Sequence, residues 1–194
     1  MATVVIDPGH GGANAVGGSS PNNAQGPTGL LEKVVTLDLA KRTAPLLKAA
    51  GITVLLTRAT DVNLGLEARA TVAKNAGADA FVSIHLNGFD GEAQGTETFH
   101  HPDASADSRA LADHVLKGVL TATGLKNRGV KVDSLGVLKP SYHADKTAAC
   151  LLEVSFMDVP AEEARLKTDT YKDGIAKALA DAIKAWLSAD GRLP

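Results

Sequence analysis

The chain has 194 residues, with 20 Lys and Arg against 22 Asp and Glu, a net charge of -2 with histidine neutral. That length suits one α/β domain with a real core, expected as a monomer, and the slightly acidic balance offers no basic face for nucleic acid or an anionic membrane. No apolar run reaches the roughly 20 residues of a membrane span, so membrane insertion is not expected, and no positively charged lead into an apolar stretch follows Met1, so no signal peptide is expected in the chain.

Residues 3–6, Thr-Val-Val-Ile, are a β-prone run stopped by Asp7-Pro8, because proline cannot donate the next ladder bond. His10 follows between Gly9 and Gly11, which puts it at the carboxyl end of a strand, the edge where open α/β sheets bind ligands. Residues 14–29, rich in Gly, Ser, Asn and Pro, read as a long, mobile loop over that edge. Leu31, Val34, Val35, Leu39, Leu46 and Leu47 predict a helix over 30–50, closed by Gly51 and kinked at Pro45. Glu32 then lies in its first turn, where the positive helix end favours a carboxylate. Residues 52–57 read as a strand, 66–76 as a helix stopped by Gly77, and 80–84 as a strand ending in His85. Further on, 95–99 reads as a strand, 108–123 as a helix, 127–132 as turn and loop, 135–138 as a short strand and 139–147 as a polar loop. An apolar strand over 149–156 carries one charge, Glu153, and its Cys150, the single cysteine, reads as a small core residue. Helices over 160–166 and 172–187 close the chain. Such alternation implies an α/β fold, a single domain on a mostly parallel twisted sheet of about six strands with helices on both faces.

His10, Glu32 and His85 are two imidazoles at strand ends and a carboxylate at a helix start. Two nitrogens and one oxygen suit a catalytic zinc ion that keeps a position for water; on spacing alone, three unrelated residues on one rim is the alternative. Glu153 loses solvation inside its strand unless it meets a cation, a cleft or a metal site, so it reads either as half of a structural ion pair or as a general base. A metal beside a base makes a hydrolase. Asp7 reads as a turn residue or a support for His10. His100 and His101 are expected as solvated turn residues, and His114 at a helix surface or boundary. His143 is the candidate for a further substrate contact. Arg69 and Arg128 could hold carboxylates of a bound peptide, but arginines on helices and loops are mostly solvated or structural, and both are expected to lie outside the site.

Four segments carry a resemblance: Asp7-Pro8-Gly9-His10-Gly11-Gly12, Gly29-Leu30-Leu31-Glu32-Lys33, Ser83-Ile84-His85-Leu86-Asn87-Gly88 and Leu151-Leu152-Glu153-Val154-Ser155-Phe156. In these, and in residues 134–139 and 163–166, nearly the whole chain resembles the zinc-dependent N-acetylmuramoyl-L-alanine amidases of the AmiC and CwlV type. The resemblance implies that residues 1–194 are an amidase catalytic domain, that His10, Glu32 and His85 bind one Zn2+ ion, and that Glu153 is the catalytic carboxylate. The implied substrate is peptidoglycan, cut by a zinc-activated water at the amide between N-acetylmuramic acid and L-alanine of the stem peptide. The implied place of action is the cell wall, as an autolysin or endolysin. The chain departs from the family pattern in a longer loop at 140–147, in Ala148-Ala149 where Pro-Ala is common, and in Val154-Ser155 where a glycine often precedes the phenylalanine. Some amidases it resembles carry a long insertion that covers the zinc, and the expected counterpart here, residues 100–107, is too short for a blocking helix. A zinc peptidase acting on ordinary peptides and a noncatalytic wall-binding module are the two other functions that such a sequence admits.

Overall fold

The computed structural model describes residues 1–193. In chain order the elements are β1 (Thr3–Pro8), α1 (Glu32–Ala49), β2 (Thr53–Leu56), α2 (Leu66–Asn75), β3 (Ala80–Asn87), β4 (Thr96–His100), α3 (Ala106–Thr123), β5 (Asn127–Val132), β6 (Ala148–Phe156), α4 (Pro160–Leu166) and α5 (Asp169–Ala189). The strands form one sheet in the order β2-β1-β3-β6-β4-β5. The first four run parallel; β4 is antiparallel to β6, and β5 runs with β4. This is the mostly parallel α/β sheet that the alternation of patterns implies.

Side chains alternate across each strand, and the two faces have different covers. Val4 and Ile6 of β1, Val82 and Ile84 of β3, and Cys150 and Leu152 of β6 join Leu39 and Leu47 of α1, Leu111 and Val115 of α3, and Ile175, Leu179 and Ile183 of α5 in one core. Val5, Phe81, Ala149 and Leu151 point to the other face, where Ala73 of α2 and Val137 and Leu138 cover them. Removing each large apolar side chain of this kind from water contributes roughly 1.5–3 kcal/mol. Helix α1 continues unbroken through Pro45.

Two segments differ from the sequence expectation. Residues 127–132 form β5 rather than turn and loop, and its residues are exposed or half-buried, so ladder pairing with β4 holds it without an apolar alternation to betray it. Residues 136–138 form a 3-10 turn rather than a strand. Both edges of β6 are taken, by β3 and β4, and the buried Val137 and Leu138 of this segment pack onto the sheet face instead.

The reversal of β4 decides what can reach the carboxyl ends of β1, β3 and β6. The link from β4 to α3, residues 101–105, is as short as expected, but it lies at the opposite end of the sheet, so its length has no bearing on cover over that edge. His100 and His101 sit at this far end and are buried, not solvated. Nδ1 of His100 bonds the His101 carbonyl at 2.9 Å, and Nδ1 of His101 accepts from the Asp103 amide at 3.1 Å, so a tight turn uses both rings.

Arg69, expected to be solvated or structural, is structural: it is 1% exposed, and its Nη1 donates to Asp7 Oδ1 at 2.9 Å beneath α2. Burial alone would raise the Asp7 carboxyl; the Arg69 charge and hydrogen bonds from Ser83, Thr57 and Arg69 outweigh it and hold the group below the usual carboxylate range. A depressed folded value means stability that is present above the unfolded value of about 3.9 and lost as pH falls through the folded one. Asp7→Asn strands the buried guanidinium and is expected to lose about 3 kcal/mol in urea denaturation at neutral pH. Its stability should also decline less steeply than the parent's under acid; an unchanged acid limb would show that Asp7 is not a main source of it.

Candidate metal centre

The three peptide groups that follow β1 are held by two buried arginines. Arg69 Nη1 donates to the Pro8 carbonyl and Nη2 to the His10 carbonyl, each at 2.8 Å. Arg58, just beyond β2, donates from Nε to the Pro8 carbonyl at 3.0 Å and from Nη2 to the Gly9 carbonyl at 2.8 Å. Among the described residues His10 alone has a positive φ without being glycine, at 61°. That conformation is uncommon outside glycine, asparagine and aspartate, and the arginine bonds on both sides of it hold it. Gly9 is needed for a different reason. A Cβ there would stand 2.3 Å from Cε1 of His85, so the imidazole of β3 lies directly on the backbone of the β1 turn.

Glu32 opens α1 and reaches both rings. Its Oε1 lies 3.1 Å from His10 Nε2 and 3.1 Å from His85 Nδ1, and one donor atom from each of the three residues falls within 4.8 Å of the others. Backbone amides hold the carboxylate itself: Ala24 N donates to Oε2 at 2.8 Å and Leu86 N to Oε1 at 3.1 Å. Burial pulls the Glu32 carboxyl upward, and the bonds and charges of His10 and His85 overcome it and hold the group far below the usual range.

The fit to a metal follows from the tautomer. His10 Nδ1 lies 3.1 Å from the Ser20 carbonyl, which can only accept, and 3.0 Å from the Ser20 hydroxyl, which can accept as well, so a proton on Nδ1 is matched by both. In that tautomer Nε2 turns a lone pair toward the space beside Glu32 Oε1, where a bound cation would have both as ligands. Two ring nitrogens and one carboxylate oxygen, with the other ring nitrogen of His10 bonded to a backbone carbonyl, form a donor set and supporting bond that would suit a zinc ion. Calcium or magnesium would require more oxygen.

Glu153 stands beside this group, because β6 pairs with β3 in the register His85 to Glu153. Its Oε2 is buried and has no hydrogen-bond partner. Burial, together with the charges of Glu32 and Glu97, pushes its carboxyl well above the usual range. Glu97 of β4 pairs with Glu153 in register and is itself bonded to Asn87, Arg128 and Lys131. The structure therefore brings together His10, Glu32 and His85, with Glu153 in the adjoining register position.

His143, expected as a substrate contact, does not open onto this edge. It is 5% exposed, its Nε2 lies 2.9 Å from the Val137 carbonyl, and its ring packs edge-on to Phe81 with centroids 4.9 Å apart. Burial holds its pKa below the usual histidine value, which keeps the ring neutral. His114 is half-buried on α3, at a boundary as expected. Arg58, Ser20, Asn87 and Glu97 carry parts of the site that sequence reasoning did not single out. Asn87 had a usable signal, since two residues beyond His85 on a strand is the same face.

A family model described as N-acetylmuramoyl-L-alanine amidase matches residues 4–185. The amidase LytC of Bacillus subtilis is 36% identical over 186 residues, covering 95% of this chain and 35% of LytC, so the chain spans about a third of that relative. The solved structure of N-acetylmuramoyl-L-alanine amidase AmiC2 of Nostoc punctiforme superposes with a TM-score of 0.84 at 33% identity, covering 96% of this chain and 97% of that one. The catalytic domain of CwlV, the amidase of Bacillus (Paenibacillus) polymyxa var. colistinus, gives 0.82 at 34% identity and covers 97% and 99%. Sequence, fold and architecture agree over almost the full length, and the chain belongs to the N-acetylmuramoyl-L-alanine amidase family.

Proposed function

We propose that residues 1–194 are a catalytic domain that hydrolyses peptidoglycan at the amide between N-acetylmuramic acid and L-alanine of the stem peptide. The observation that carries this reading is the meeting of His10 Nε2, Glu32 Oε1 and His85 Nδ1 beside an unpartnered buried oxygen of Glu153, in a chain of this family. His10, Glu32 and His85 would hold one Zn2+, which when bound polarises the scissile carbonyl and makes a water more acidic.

The protein's own groups do the rest. Glu153 takes a proton from the attacking water and delivers it to the leaving L-alanine nitrogen. Its raised pKa suits a carboxylate that must hold that proton between the two steps. The Ser20 carbonyl keeps the His10 proton on Nδ1, while Ala24 N and Leu86 N keep the Glu32 carboxylate aimed at both rings. A peptidase could use the same parts, and the match to muramoyl-alanine amidases along the chain favours the muramyl amide. The His85 side chain is 17% exposed, so the edge is open to solvent, and we read the domain as a monomer that acts at the cell wall without an activating partner. No helix among the described residues is long and apolar enough to cross a membrane.

His10→Ala, Glu32→Ala and His85→Ala should each lower zinc content, measured by mass spectrometry of the metal, together with muropeptide release; full zinc in His85→Ala would remove that residue from the ligand set. Glu153→Gln should keep its zinc and lose about 10²–10⁴-fold in turnover, because the amide fills the same space without accepting a proton. Near-normal turnover there rules out the general-base role. Incubated with isolated sacculi and nothing else, the protein should release stem peptides with a free L-alanine amino terminus. Cleavage within ordinary peptides in place of that bond would mark a peptidase, and activity only after a second protein is added would overturn the independent action.

A further inference from the structure

On the face that carries the donor set, α2 and the turn at 136–138 cover residues of β1, β3 and β6. Beyond them the same face carries a row of alternating aromatic and cationic side chains from β4, β5 and β6. The Arg128 guanidinium stands 4.8 Å over the Phe156 ring, and its Nε donates to Glu97 Oε2 at 2.6 Å. Lys131 Nζ lies 2.5 Å from that same oxygen and 5.7 Å over the Phe99 ring. Asn87 donates to the other oxygen of Glu97 at 2.9 Å. A Cβ at Gly95 would stand 2.5 Å from Arg128 Cγ, so the arginine lies flat along the backbone of the turn into β4.

Arg128 and Lys131 share the Glu97 carboxylate, and Glu153, paired with Glu97 in register, is the other acid near them. Glu97 is 5% exposed, whereas Arg128 and Lys131 are 30% and 38% exposed, so the anion is buried and the cations face outward. Each cation has donors to spare, because guanidinium carries five N–H groups and ammonium three. Stacking on aromatic rings and bonding to Glu97 hold both in place before anything binds, which lowers the ordering cost of an added anion. The row also starts in register with Glu153, at the reacting end.

We infer that Arg128 and Lys131 form a subsite for a carboxylate of the stem peptide, an inference that rests on the amidase reading above. β5 lies two strands from β6, about 10 Å away at the usual strand spacing. Two extended residues span about 7 Å, so with the scissile amide at Glu153, a carboxylate on the residue after L-alanine comes within reach of these side chains, which lean back over β4 to Glu97. The sugar strand is the other occupant of suitable size. It carries no charge at this point, since the lactyl carboxyl of N-acetylmuramic acid is tied up in the amide, and it would leave the spare charged donors of Arg128 and Lys131 unused. Charge complementarity therefore selects the peptide.

The test compares N-acetylmuramoyl-L-alanyl-γ-D-glutamyl-L-lysinamide with its D-isoglutaminyl counterpart; the γ-carboxyl is tied up in an amide in both, so they differ only in having a carboxylate or a neutral amide at the α position of the residue after L-alanine. The zinc-loaded chain should prefer the acid by about tenfold in kcat/KM, mostly through KM, the gain of a charge-assisted hydrogen bond. Lys131→Met and Arg128→Met should each shrink the ratio, the double variant should bring it near unity, and Lys131→Arg should retain most of it. Because both substrates are read on one preparation, partial loss of fold lowers both rates alike and leaves the ratio unchanged. Equal rates in the parent chain, or a preference that persists in the double variant, would overturn the subsite. Should neither substrate be cleaved, the amidase reading fails by itself. Calorimetric binding of the two to Glu153→Gln still decides the subsite, with tighter acid binding supporting it and equal affinities removing it.

Discussion

The grip of Arg58 and Arg69 on the backbone after β1 is the constraint from which the rest of the site follows. Carbonyls at the end of a strand are accepting groups without a ladder partner, and burying them unsatisfied would be costly. Arg58 and Arg69 satisfy those of Pro8, Gly9 and His10. Arg58 also donates to the Lys33 carbonyl and to Thr36 Oγ1, while Thr36 Oγ1 in turn donates to the Gly9 carbonyl. The guanidinium that shapes the His10 turn thus also holds the first turns of α1, which carry Glu32. A planar fork of donors does this from one side chain; a lysine offers one compact charge and could not serve four acceptors spread over two segments.

The same economy places the approach to α1. Residues 14–29 have a composition that reads as a mobile loop, yet their last stretch is tied to α4. Glu163 accepts from the Thr28 amide, the Thr28 hydroxyl and the Leu30 amide, and a Cβ at Gly26 would collide with its carboxylate. An acid on a distant helix therefore orders the two residues before Leu31 and Glu32. Nearer the site, two glutamates are driven in opposite directions by their surroundings. Glu32, bonded by two rings and two amides, is held ionised, whereas Glu153, buried with an orphan oxygen among other acids, is pushed toward protonation. Environments that separate two like groups in this way fit them for different tasks, in line with the roles proposed above for Glu32 and Glu153.

How much of this was legible follows from which signals are local. His10, Glu32, His85 and Glu153 each announced themselves, as glycine-bracketed, helix-initial, strand-terminal and charged within an apolar run, and the structure sets all four together. β5 was missed because it is an edge strand held by ladder bonds, and its residues show no alternation. Residues 136–138 misled because an apolar triplet next to a glycine reads as strand until one knows that β6 has no free edge. Whether Arg69 is solvated or structural stayed open in the sequence because its partner, Asp7, is 62 positions away, and no periodicity encodes such a pair. His143 attracted attention as a histidine in an unusual loop, but the loop folds inward and the ring packs on Phe81.

The position of β6 in the sheet also bears on the order of assembly. It is the last strand in the chain, yet it lies between β3 and β4, whose paired residues come more than 50 positions earlier. A chain made only as far as residue 147 holds two unclosed edges side by side, surfaces that invite pairing with other chains. It also lacks Glu153. Closing the middle of the sheet depends on contacts distant in sequence, which form late because the loop-closure entropy must be met before they reward it. A chain that stops short of β6 therefore has neither the closed sheet nor the carboxylate that stands beside His85 in register.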